Sequence, residues 1–235
     1  MSISVIIPTL NEAECLKKVI QEIPKIVTEI IVVDGGSTDG TVELARSLGV
    51  KVLIQEKKGL GDALMLGIKS SHENIVVLLD GDGSFNPQDI LGLVNLIHQG
   101  NEVVFGTRYH RDSGSQDDTP VRYLGNQFFT ALMRLIFKVN LTDALFTYVA
   151  AKRSALENLN LKYPGFEFCI EFPIKVHLSG LSYTEMPSFE RKRIAGKSKV
   201  NAFIHGIIIL WTLIKLIPFS LNKNRMNTRG QVQEN

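Results

Sequence analysis

Two aspartates two residues apart, Asp80 and Asp82, close an apolar run in the stretch VVLLDGDGSFNPQD, residues 76–89. Carboxylates that close repel one another and lose hydration beside a core, so the pair calls for a positive charge between them. On an extended segment, residues two apart point the same way, and both carboxylates can then face one ion. Hard oxygen ligands suit Mg²⁺ or Mn²⁺, and Mg²⁺ commonly joins one or two carboxylates to substrate phosphates. An Asp-x-Asp by itself is also what an ordinary loop contains. A second cluster, VVDGGSTDGT (32–41), ends a run of β-branched residues at Asp34. From a strand end, the Asp34 carboxylate would face a crevice and accept hydrogen bonds from a nucleobase or ribose, while Ser37 or Asp39 caps the next helix. Further on, RKRIAGKSK (191–199) carries five cations around a glycine and a serine, the composition of a mobile loop that folds over phosphates. Arg191 and Lys192 read equally well as a solvated charge run. Neither G-x-G-x-x-G nor a P-loop lysine motif occurs, which argues against dinucleotide binding and Walker-type NTPases.

These residues need elements to position them. Short apolar runs at 3–7, 29–34, 51–54, 74–80 and 102–106 predict strands, and amphipathic patterns near 12–23, 39–48, 60–70 and 87–98 predict helices between them. Near-continuous apolar strands separated by such helices indicate an α/β domain with a parallel sheet covered on both faces. Ligands bind beyond the carboxyl ends of such strands, and PTLNE, DGGSTDG and DGDGS sit at three of those ends. From about 109 the pattern changes to a polar loop, a helix over 121–138, a further helix in GFEFCIEFPIKVHLSG and a strand in LSYTEMPSFERKR. The sheet therefore continues with different connectivity. The expected organisation is one domain over 1–200, with halves 1–108 and 109–200, then a helix over 201–221 and a polar tail over 222–235.

With 44% apolar and 21% charged residues among 235, the chain is of ordinary globular composition, and a net charge of +2 does not suggest a nucleic-acid partner. Cys15 and Cys169 have no metal or redox spacing and read as buried free thiols in a reducing compartment. No signal peptide is expected, because ISVIIP already reads as a strand. The five histidines share no spacing, and Glu167 and Glu171, at i and i+4, read as a solvated or structural face, with an acceptor contact by one of them as the alternative. In NAFIHGIIILWTLIKLIPF (201–219) the apolar part would make a helix of roughly 25 Å, against a bilayer core of about 30 Å. Asn201, His205, Thr212 and Lys215 fall on one narrow stripe of it. Three readings compete: a helix lying in a membrane surface, a short anchor, or a helix packed on the domain. The apolar circumference and the basic flanks favour the first two.

VIIPTLNEAECL, IIVVDGGSTDGT, GLGDALMLGI, LLDGDGSFNP, FGTRY and RIAGKSK together resemble family 2 glycosyltransferases, in particular their dolichol-phosphate mannose synthase branch. The resemblance covers about 3–200. It implies a GT-A fold and inverting transfer of a hexose from a nucleotide sugar, GDP-mannose or UDP-glucose, to a polyprenyl phosphate. It further implies that Pro8, Asn11, Glu12 and Asp34 line the nucleotide site. Asp80, Asp82 and Ser84 would hold Mg²⁺ or Mn²⁺, and Asp82 and Arg193 would be catalytic. Arg193 and Lys199 would close over the diphosphate, and Arg108, Arg122 and Asn126 would hold the acceptor phosphate. The implied location is the cytoplasmic side of a membrane, peripheral or by a short C-terminal anchor. Two departures stand out: Gly35 replaces the second Asp of the usual VDDGS, and ALFTY (144–148) replaces SGFR, which leaves base and acceptor selectivity open. The rivals are an enzyme with a soluble sugar or glycerol-type acceptor, and a non-catalytic nucleotide-binding protein.

Overall fold

The computed structural model of the protein describes residues 2–196 and 202–232, with the side chains of the last helix from 203 to 218. The first half builds β1 (Ile3–Thr9), α1 (Ala13–Glu22), β2 (Glu29–Asp34), α2 (Thr41–Ser47), β3 (Lys51–Ile54), α3 (Leu60–Ser70) and β4 (Ile75–Leu78). β1 pairs in parallel with β2 and with β4, and β2 with β3, so the carboxyl ends of these strands share one rim. Alternation along each strand divides the core. Ile6, Ile31 and Leu78 pack with Leu64 of α3, while Ile7, Val32 and Val77 pack with Leu16 of α1.

The second half adds α4 (Ile90–His98), β5 (Val103–Thr107), β6 (Gly114–Ser115), α5 (Pro120–Phe137), β7 (Val149–Lys152), α6 (Arg153–Glu157), α7 (Phe168–Leu178), β8 (Tyr183–Pro187), β9 (Phe189–Glu190) and α8 (Ala202–Val232). β7 runs antiparallel between β4 and β5, giving a seven-stranded sheet of order β3-β2-β1-β4-β7-β5-β8, and β6 pairs separately with β9. α5 starts where the sequence signals a start: the Thr119 hydroxyl accepts from the Arg122 amide, and Pro120 occupies the first turn.

Two boundaries differ from expectation. β4 ends at Leu78, so Asp80 belongs to the turn beyond the strand. α8 continues to Val232 instead of giving way to a polar tail after 221, since after Pro218 no strong helix breaker intervenes before Gly230.

α8 packs on α5 and α7 through Ile209, Leu213 and Leu216. Two members of its polar stripe face inward: Thr212 is buried with its hydroxyl on the Ile208 carbonyl, and the His205 ring rests on Phe166 at 4.5 Å between centroids. Lys215 is exposed over the Trp211 ring, and Asn201 lies outside the described residues. The outward side is apolar, with Phe203 80%, Ile207 71% and Trp211 58% exposed. α5 exposes Leu124, Phe128 and Leu135 as well. No helix among the described residues is long and apolar enough to cross a membrane.

Candidate active site

The ends of β1, β2 and β4 frame a cavity of about 530 Å³, walled by Pro8, Glu12, Gly35, Gln55 and Lys58 among others. A second cavity of about 190 Å³ lies beside it, walled by Ser84, Arg122, Asn126 and Thr147, with His205 and Ile209 of α8. Leu60, Asp80, Asp82, Phe166 and Arg193 line both, so the acidic pair stands at their junction.

The turn carrying the pair is clamped from above. The Ile194 amide donates to the Asp82 carbonyl at 3.0 Å, and the Arg191 amide to the Ser84 carbonyl at 2.7 Å, laying the 191–194 segment across DGDGS. Gly83 makes this approach feasible: its φ is +80°, and a Cβ there would stand 2.3 Å from Ile194 Cδ1. Asp82 Oδ1 accepts the Ser84 amide at 2.9 Å, and Oδ2 lies 3.2 Å from Arg193 Nη1. Burial, and then the Asp82, Glu190 and Glu12 carboxylates, push Asp80 well above the ordinary carboxylate range, with Arg193 offsetting only part of this. Such crowding of carboxylates fits a hard divalent cation. No group of three or more His, Cys, Asp or Glu among the described residues could hold a metal ion, so a cation here would rest on this pair.

Two residues expected in the nucleotide site, Asp34 and Asn11, stand off the cavity wall. Asp34 is fully buried and is not on the cavity wall. Its carboxylate accepts the Gly36 and Ser37 amides at 2.9 and 2.8 Å and the hydroxyls of Thr9 and Ser37, so it builds the turn beneath Gly35 and Gly36. Asn11 is exposed, and its side chain accepts the Thr38 amide at 2.8 Å, tying the β1–α1 loop to the same turn. Pro8 and Glu12 do line the cavity. Lys199 lies outside the described residues.

Arg108, expected to hold the acceptor phosphate, is engaged by two carboxylates. It walls the second cavity, yet its Nε and Nη2 bind Asp143 at 2.7 and 3.0 Å and its Nη1 binds Glu190 at 3.0 Å. With Asp143 wholly buried, Arg108 acts as a structural clamp, with a second N–H on each of Nη1 and Nη2 beyond those three bonds. Glu190 in turn takes the Ser115 hydroxyl, and Ser115 Oγ accepts the Asp117 and Asp118 amides at 3.2 and 2.9 Å. The clamp thereby fixes the segment before α5. Asn126 donates to the Tyr109 hydroxyl at 2.9 Å, which donates to Asp118 at 2.7 Å. Arg122 reaches Asp117 at 3.2 Å. Glu171, fully buried, accepts the Lys162 and Tyr163 amides and pairs with Lys175 at 2.7 Å, a structural role.

Residues not singled out from sequence complete the site. Phe166, at the junction, is carried by the 163–166 turn, whose carbonyls accept from the start of α3: the Asp62 amide donates to Pro164 O at 2.8 Å and the Gly61 amide to Gly165 O at 3.2 Å. The glycines of GLGDAL were the available signal. A Cβ at Gly59 or Gly61 would come within 2.3 Å of the Pro164 or Tyr163 carbonyl. Gln55, whose Oε1 would stand 3.0 Å from a Cβ at Gly35, fills the space next to the missing aspartate.

The family model described as Glycosyl transferase family 2 matches residues 4–159. Glycosyltransferase AglJ of Haloferax volcanii is 29% identical over 189 residues, 80% of this chain, and the chain spans 62% of that protein's length. Dolichyl-phosphate hexose transferase of the same organism is 27% identical over 217 residues, 91% of this chain and 93% of that protein. Glucosyl-3-phosphoglycerate synthase of Mycobacterium tuberculosis, solved with Mn²⁺, UDP-glucose and phosphoglyceric acid, superposes with a TM-score of 0.73 at 23% identity. That match covers 92% of this chain and 80% of that structure and shows a shared fold.

Proposed function

The chain belongs to glycosyl transferase family 2, and from that premise we propose that it transfers a hexose from a nucleoside diphosphate sugar to a polyprenyl phosphate at the cytoplasmic face of a membrane. The observation that carries this reading is the meeting of two cavities at Asp80, Asp82 and Arg193, the second walled by both helices whose outer faces are apolar. The larger cavity takes the nucleotide between Pro8, Glu12, Gly35 and Gln55. GDP-mannose and UDP-glucose are the donors to test first.

Transfer breaks the bond from the anomeric carbon to the β-phosphate oxygen as an acceptor phosphate oxygen bonds the opposite face. The electron pair leaves with the nucleoside diphosphate. An ionised phosphate is already a nucleophile, so this needs no strong general base, but it does need cations to place it. Arg193 faces the charge that develops on the leaving group. Mg²⁺ or Mn²⁺ held by Asp80 and Asp82, with Ser84 alongside, would neutralise diphosphate charge. Asp34 and Asn11 support the nucleotide wall from behind. The two free, buried thiols suit the reducing side of the membrane.

The apolar side of α8 and the neighbouring side of α5 supply the membrane contact. Burying a large apolar side chain is worth about 1.5–3 kcal/mol, and an interface helix gains this from the acyl boundary. A dolichyl-phosphate hexose transferase similar over nearly its whole length supports the same acceptor class. A soluble hydroxyl acceptor is the second reading, favoured by Asp117, Asp118 and Glu190 in the acceptor cavity. Calorimetry of UDP and GDP with Mn²⁺ tests the donor half. Binding should require Mn²⁺ and be lost in Asp82→Ala, and binding indifferent to both would overturn it.

A further inference from the structure

Asp117, in the segment between β6 and α5, is shared by two arginines from distant parts of the chain. Its Oδ2 lies 3.2 Å from Arg122 Nη1 and 2.9 Å from Arg193 Nη2, and its Oδ1 lies 3.4 Å from Arg193 Nε. This is the side-on fork contact by which a guanidinium holds an oxyanion. The carboxylate is not what holds its own loop. That task falls to the Asp117 and Asp118 amides on Ser115 Oγ, and to the Tyr109 hydroxyl on Asp118.

The position also matters. Asp117, Arg122 and Arg193 wall the smaller cavity, and the remaining Arg193 nitrogen, Nη1, reaches Asp82 at the junction with the larger one. Both arginines are already met by carboxylates, Arg122 by Asp117 and Arg193 by Asp117 and Asp82. A phosphate arriving beside a donor diphosphate adds anions to a seat already filled, so the carboxylate has to yield the arginines to it.

We propose that Asp117 is an internal stand-in for the acceptor's anionic head group, filling the seat between Arg122 and Arg193 until a phosphate displaces it. It thereby selects acceptors by charge. A phosphate monoester can replace the carboxylate and inherit both arginines, whereas a neutral hydroxyl leaves Asp117 in place and Arg193 engaged. The inference rests on the phosphate-acceptor reading given above.

Calorimetry on the full chain tests it, with wild type, Asp117→Asn and Asp117→Ser titrated with inorganic phosphate and with farnesyl phosphate. UDP and Mn²⁺ binding and thermal unfolding are followed in parallel. Both variants should bind each phosphate about tenfold more tightly than wild type, a change of about 1.4 kcal/mol, and adding Arg122→Gln should erase the gain. Farnesyl phosphate binding more tightly than inorganic phosphate supports a lipid source for the head group. Equal affinities support a soluble phosphorylated one. Unchanged, weaker or undetectable phosphate binding in the variants, with nucleotide binding intact, overturns the proposal and leaves Asp117 as a residue that merely aligns two arginines. Unfolding of both variants overturns it too, since a displaceable group is not required for the fold. Hexose transfer to farnesyl phosphate is scored separately. Its failure beside a tenfold phosphate gain refutes the prenyl acceptor and not the stand-in.

Discussion

Asp80 carries the electrostatic tension of the site. Its carboxyl titrates above the ordinary value because burial and neighbouring carboxylates disfavour the charge. Below that ordinary value, 3.8, folded and unfolded chains are both protonated and nothing is lost. As the pH rises, the unfolded chain releases the proton first, so the metal-free fold loses stability until the pH passes the raised value. Asp80→Asn should therefore stabilise chelator-treated protein by a free energy that grows from pH 4 to neutrality, on the order of 1–3 kcal/mol, read as a rising Tm difference from wild type. Mn²⁺ should stabilise wild type and not the variant. A pH-independent Tm difference in thermal scans would contradict this. Arg108 offers the opposite case. Arg108→Met strands Asp143 and Glu190 in the interior, and should cost about 3–5 kcal/mol in urea unfolding. An unchanged midpoint with a selectively raised acceptor KM would make it a phosphate ligand rather than a clamp. Neither burial nor partner was legible in the sequence. FGTRY and VDGGS show a basic and an acidic residue at a strand end, but not the Asp143 and Ser37 groups that engage them across 35 and 3 residues.

At the scale of elements, the strands with apolar runs and the helices between them were legible because local periodicity and burial agree there. β7 was not. VAAK is four residues of mostly small side chains, and only its pairing with β4 and β5 on either side makes it a strand. The inward placement of His205 and Thr212 on α8 was equally hidden, since periodicity groups them with the exposed Lys215 without saying what each faces. The contact of α3 with the 163–166 turn ties an element of the donor half to Phe166. Gly61→Ala puts a methyl 2.3 Å from the Tyr163 carbonyl and 2.9 Å from that of Gly165. It should cost about 1–3 kcal/mol and weaken nucleotide binding as Phe166 shifts, measured by denaturant unfolding and calorimetry. Full stability with unaltered binding would show that the turn adapts.

Over the whole molecule, the reaction site and the apolar face of α5 and α8 belong to one arrangement, because α8 contributes both the cavity wall and the exposed side chains. Ile207→Ser combined with Trp211→Ser should lower co-sedimentation with anionic phospholipid vesicles about tenfold or more while leaving the Tm within a few degrees. Vesicle binding unaffected by both changes would place the membrane contact elsewhere. The central claim, hexose transfer to a prenyl phosphate, is tested most directly by a donor panel. GDP-mannose, UDP-glucose and related nucleotide sugars are each incubated with the protein and a short polyprenyl phosphate, with Mn²⁺, with Mg²⁺ and with chelator. A prenyl-phosphate hexose product is expected from at least one donor, formed only with a divalent cation and abolished by Asp82→Ala. No product from any donor under any of these conditions would contradict it.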